Sequence, residues 1–147
     1  MSLTRREIRE KALQSLFQLS ANKDLSTEEA MQQALTSGED LADEVEVVSV
    51  PKYLELLVTG VNEHQTAIDE KIQLHLENWS MKRLAKTDLV IMRIAIFEML
   101  YVSDVPAKVA LNEALEITKL YSDEKSRKFV NGVLANIVND LEEKEAE

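Results

Sequence analysis

Residues 89–101 read LVIMRIAIFEMLY, thirteen positions broken by charge only at Arg93 and Glu98. A helix that is apolar all round must be buried all round. The run therefore predicts a central helix enclosed by other elements. It falls short of the roughly 18–20 residues a membrane-spanning helix needs. It also poses an electrostatic problem, because a buried arginine is costly unless paired. Either Arg93 forms a structural ion pair, with Glu113 on the next helix as the candidate partner, or it serves a ligand.

The enclosing elements read as helices too. The 147 residues include only three glycines and two prolines, too few turn formers for a sandwich or barrel. Ile8, Ala12, Leu16 and Leu19 form a helical stripe over residues 2–20. Ser26 and Thr27, followed by Glu28 and Glu29, mark a helix start, and that helix should stop near Gly38. Residues 38–49 are acidic and read as a solvated linker. Pro51 opens a long stripe through Leu54, Leu57, Val61, Ile68 and Ile72 to Leu76. Gly60 within it implies close packing, since glycine costs about 1 kcal/mol in a helix interior. The pattern breaks at residues 77–87, where Trp79 is expected to plug a joint. Thr87 or Asp88 caps the central helix. Asp104 and Pro106 open the next, carrying Val109, Ala110, Ala114, Leu115 and Ile117. Ser122 or Asp123 opens the last, with a core stripe of Val130, Val133, Leu134, Ile137 and Leu141. The expected fold is all-α, with about seven helices in two small packed bundles. Together they form one domain, 1–147. The N-terminal sub-bundle covers about 1–76, the C-terminal about 77–141, and an acidic tail, 142–147, is expected to fray.

Several chemistries have no residues to carry them. There is no cysteine, which excludes disulfides, thiolate zinc sites and cysteine nucleophiles. His64 and His75 match no metal-ligand spacing and read as helix-surface residues. No glycine-rich phosphate loop, GxSxG or HExxH occurs. No catalytic residue, metal or cofactor is expected, and so no enzyme. The N-terminus lacks an apolar signal core, so the expected location is cytoplasmic, with no membrane association.

Charge supplies the positive evidence. The net charge is −10, yet Arg5, Arg6, Arg9 and Lys11 crowd the start against only Glu7 and Glu10. Lys82, Arg83 and Lys86 form a second basic stretch, and Lys125, Arg127 and Lys128 a third. Arg6, Leu13 and Phe17 share a row away from the first helix's core stripe. There Phe17 either widens the core or offers an aromatic beside a cation. Phe129 lies off its own helix's stripe, on the side of Lys125. It either packs beneath a loop or stacks on an unpaired base while cations hold phosphates. Asn131-Gly132 is unusual in mid-helix: the glycine permits close approach, and Asn131 can bond another helix or a base. A local basic, aromatic patch can grip a polyanion that the whole chain repels.

The quoted motifs resemble the NusB family of bacterial transcription antitermination factors. The stretches that carry the likeness are TRREIREKALQSLFQL (4–19), Asn78-Trp79, DLVIMRIAIFEML (88–100), DVPAKVALNEALEITK (104–119) and KSRKFVNGVLANI (125–137). The resemblance implies an all-helical fold of two bundles. It also implies binding to single-stranded boxA-type RNA jointly with NusE, a ribosomal small-subunit protein, within an antitermination complex on RNA polymerase. It assigns RNA contacts to Arg5, Arg6, Arg9, Phe17, Lys128 and Phe129. Asp88 matches an acidic position near the RNA surface, and Lys125, on the side of Phe129, is a further candidate. Glu7 and Glu10 interrupt the family's arginine motif. The basic start and the Lys125–Lys128 run would then be two edges of one RNA surface. The competing reading is an acidic helical adaptor that binds only proteins.

Overall fold

A computed structural model describes residues 2–36, 48–77 and 80–146. Trp79, and the acidic linker as far as residue 47, lie outside the described residues. Among those described there are seven α-helices and one 3-10 turn, Met81–Arg83, with no strand. By internal contacts the chain forms two compact units, Met1–Gly60 and Val61–Glu147.

In the first unit, α1 (Arg5–Ala21) packs on α2 (Thr27–Thr36). Both begin with reciprocal caps. The Thr4 hydroxyl accepts from the Glu7 backbone N–H at 3.1 Å, and the Glu7 carboxylate accepts from the Thr4 N–H at 3.0 Å. Ser26 and Glu29 repeat the arrangement at 3.1 and 3.2 Å. Each pair satisfies two backbone donors that a helix start leaves open. The core stripe of α1 is Ile8, Ala12, Leu13 and Leu16; on α2 it is Ala30, Met31 and Ala34. Gln32 clamps Val48: its amide donates to the Val48 carbonyl at 2.7 Å and accepts from the Val48 N–H at 3.0 Å.

Pro51 precedes α3 (Lys52–Glu63), whose Leu54, Leu57 and Val58 are fully buried. The long stripe predicted through residue 76 is not one helix. It breaks at His64, where the backbone leaves helical geometry, and resumes as α4 (Gln65–Leu74). Side-chain periodicity survives the break, which is why the stripe concealed it.

The second unit is built round α5 (Lys86–Tyr101), which packs on α4, α6 (Ala107–Tyr121) and α7 (Glu124–Ala146). Val90, Ile91, Met92, Ile94, Ala95, Ile96 and Phe97 are all buried. Burial all round is thus realised over most of the run, and Tyr101 emerges at its end. The helix starts earlier than expected, with Ala85 at the cap and no side-chain bond there. The next two helices open at Pro106 and Asp123, as their sequences indicated. Val109, expected in the core, is exposed. The acidic tail continues α7 to Ala146, and Glu142 reaches Lys108 at 3.4 Å. Buried hydroxyls are satisfied locally: Ser15 and Thr118 each donate to the carbonyl four residues back at 2.8 Å.

Arg93 pairs with Asp69 of α4, not with Glu113. Its Nε and Nη2 donate to the two Asp69 oxygens at 2.8 and 2.9 Å, a bidentate fork. The reason is packing: α4 lies on the face of α5 that Arg93 occupies. The Arg93 side chain is 14% exposed and that of Asp69 is 25%. Asp69→Ala should therefore destabilise by about 2–3 kcal/mol, because it strands a largely buried charge. Glu113→Ala should leave this pair intact. Urea unfolding midpoints of the two variants check the assignment.

Candidate nucleic-acid interface

The basic N-terminus becomes the first turns of α1, and its three arginines separate. Arg6 is exposed. Arg5 is exposed too, but its guanidinium carbon sits 3.8 Å from the centre of the Tyr53 ring on α3. This is a cation–π contact that holds the group in one place. Sequence periodicity did not point to Tyr53, which is the second residue of its helix. Arg9 is only 5% exposed, a correction to its expected place among surface cations. Leu13 joins the core, which recentres the buried arc of α1 on a side that includes Arg9. Phe17 stays at the edge, 39% exposed, while Leu13 from the same row is buried. Arg6 and Phe17 thus mark one edge of α1, about 16 Å apart along its axis.

The second cluster lies at the start of α7. The Asp123 carboxylate accepts from the Ser126 N–H at 2.8 Å and fixes the first turn. That backbone donor holds the Asp123 carboxyl below its ordinary range. Lys125 and Lys128 are exposed and Phe129 is half-buried. Arg127 is half-buried, with one guanidinium nitrogen 3.7 Å from Glu124, beyond hydrogen-bond range. Asn131 and Gly132 are both exposed. Among the described residues, nothing lies within 4 Å of where a Gly132 side chain would begin, so no described helix needs the close approach the glycine permits.

Asp88 does not join either cluster at the surface. It occupies the first turn of α5 and is 4% exposed, with Oδ1 lacking a hydrogen-bond partner among the described residues. An acid suits that turn because the helix dipole is positive there. The histidines are not simple surface residues. His64 stacks on Tyr101 with ring centres 4.0 Å apart, and His75 Nε2 lies 3.1 Å from Asp140 Oδ2. Among the described residues no three His, Asp or Glu side chains are placed to share a metal ion. No described helix is long and apolar enough to cross a membrane.

Exposed cations flanking surface aromatics on an otherwise acidic all-helical scaffold define a class of protein suited to gripping a polyanion locally. The family model described as the NusB family matches residues 6–139. A relative from Lactiplantibacillus plantarum, described as transcription antitermination protein NusB, is 55% identical over 139 residues, covering 94% of this chain and 96% of the relative. The solved structure of T. maritima NusB superposes with a TM-score of 0.79 at 32% identity, covering 95% of this chain and 93% of that one. A NusB chain from a complex described as NusB and NusE with double-stranded RNA has the same fold, at TM-score 0.74 and 24% identity, over 92% of this chain and 96% of that one. The chain belongs to the NusB family.

The Asp123 cap gives a pH signature. Its carboxyl is depressed in the folded state, so its stabilisation is complete above the unfolded value of about 3.9 and is lost as pH falls through the lower, folded value. Glu7 behaves in the same way, held low chiefly by the Thr4 backbone N–H. Asp123→Asn should keep the cap and flatten the dependence of melting temperature on pH between about 5 and 3. Thermal melts across that range test this.

Proposed function

We propose that the chain is an RNA-binding transcription antitermination factor. With the ribosomal small-subunit protein NusE, it binds boxA-type elements of nascent ribosomal RNA leader transcripts and suppresses termination by RNA polymerase. It acts in the cytoplasm, by binding and not by catalysis. The observation that carries this reading is the exposed Lys125, Lys128 and half-buried Phe129 within KSRKFVNGVL, on a chain 55% identical to a named antitermination protein. NusE is the partner named with the NusB chain of the RNA complex that shares this fold.

Each unit carries a candidate RNA patch of its own. Arg5, Arg6 and Phe17 belong to Met1–Gly60; Lys125, Lys128 and Phe129 belong to Val61–Glu147. The lysines, Arg5 and Arg6 meet phosphates and release counterions. Phe129 offers a ring to an unstacked base, which requires single-stranded rather than paired RNA. Arg9 and Asp88, being buried, act through the fold and not by direct contact. The net charge of −10 is the one observation that favours a protein-only adaptor, since it opposes polyanion binding.

Replacing Arg5 and Arg6 with Ala should weaken boxA RNA binding and reduce the slope of log K against log salt by about 0.7 per cation for a single strand. An unchanged slope, with NusE binding intact, would turn the reading toward the adaptor. Phe129→Ala should cost about 1–3 kcal/mol of RNA affinity. Phe129→Leu, which keeps apolar packing, should lose most of the same amount. Fluorescence anisotropy with single-stranded boxA RNA, a boxA-mutated strand and a duplex, each with and without NusE, reads both effects.

A further inference from the structure

Residues 125–139 contain no acid, the longest such run in a chain that carries 27. Acids bracket the run: Asp123 and Glu124 precede it, while Asp140, Glu142 and Glu143 follow. Within it, Lys125, Lys128, Asn131, Gly132, Asn136 and Asn139 are all exposed on α7. Their spacing of three or four residues sets most of them on one helical face. The first acid beyond the run, Asp140, is held 3.1 Å from His75.

The fold does not ask for these residues. Glycine and asparagine are poor helix formers, and an exposed helical face is ordinarily filled by Ala, Glu, Lys or Gln. Among the described residues Gly132 has no internal reason either, because a side chain there would meet none of them. A glycine that weakens its helix without serving any neighbour leaves room for something that is not part of the chain. Asparagine supplies both a donor pair and an acceptor, the equipment for base edges and ribose hydroxyls. Among the described residues, none of the large exposed apolar side chains lies on α7, and that favours a nucleic acid over a protein surface.

We propose that the RNA track on α7 continues beyond Phe129, through Gly132 to Asn136. The sugar–phosphate backbone of the single strand lies against the bare helix backbone at Gly132, and Asn136 hydrogen-bonds the next nucleotide. From Lys125 to Asn136 the track is about 16 Å long. This rests on the RNA-binding reading and extends it to residues that carry neither charge nor a ring.

The test uses the full-length chain with single-stranded boxA RNA, with Phe129→Ala as reference. Gly132→Ala should raise the melting temperature and yet lower RNA affinity, about threefold or more. Gly132→Leu should lower affinity about tenfold or more, and Asn136→Ala about two- to tenfold, the range of one hydrogen bond. A lower melting temperature for Gly132→Ala would show that the glycine serves the fold, and would overturn the proposal. If Gly132→Leu and Asn136→Ala bind RNA as the parent does while Phe129→Ala is weakened, the track ends at Phe129 and the RNA reading stands. If Phe129→Ala is also unaffected, the RNA reading falls with it. Retained RNA affinity with lost NusE binding in Gly132→Leu would assign the face to the protein partner.

Discussion

The second unit depends on burying α5 on nearly every side. A helix of that composition cannot exist alone in water, so α4, α6 and α7 must be in place for it to persist. Arg93 sits in the middle of this arrangement, and its charge is tolerable only because Asp69 meets both guanidinium nitrogens. The fork also fixes which way α4 is turned against α5, since a bidentate pair constrains orientation as well as distance. A hydrophobic contact alone would permit sliding.

The helices were legible in the sequence because their signals are local. Apolar spacing of three and four residues named most of the cores of α1 and α7, and Ser26 and Asp123 announced their own helix starts. What escaped were facts about neighbours. The Arg93 partner lies 24 residues back, and chain order suggested the following helix instead. The break at His64 was invisible because the apolar stripe runs on across it. Arg9 looked like a shoulder residue until Leu13 shifted the buried arc. Tyr53 beneath Arg5 had no pattern to betray it, because a cation–π contact follows from packing and not from periodicity. At the site, the residue types around Phe129 were readable, whereas the lack of a described neighbour beside Gly132 is a fact of packing.

Electrostatics divides the labour between affinity and selectivity. A chain of net charge −10 repels nucleic acid at long range. Within a Debye length of about 8 Å at physiological salt, local cations take over. On the proposed reading, RNA is held only where its bases and phosphates meet such local cations and rings, and arbitrary strands gain little. Family membership and the exposed aromatics fit that division, since stacking and hydrogen bonds act only at contact.

The Gln32 clamp on Val48 has a consequence for α3. Two hydrogen bonds from one side chain of α2 hold the Val48 backbone, four residues ahead of the first residue of α3. An apolar stripe alone tolerates a helix sliding by a turn, because a shifted stripe still meets apolar neighbours. A directional pair of hydrogen bonds does not. The starting register of α3 is thus set by a polar contact outside the helix, and a single amide on α2 carries it.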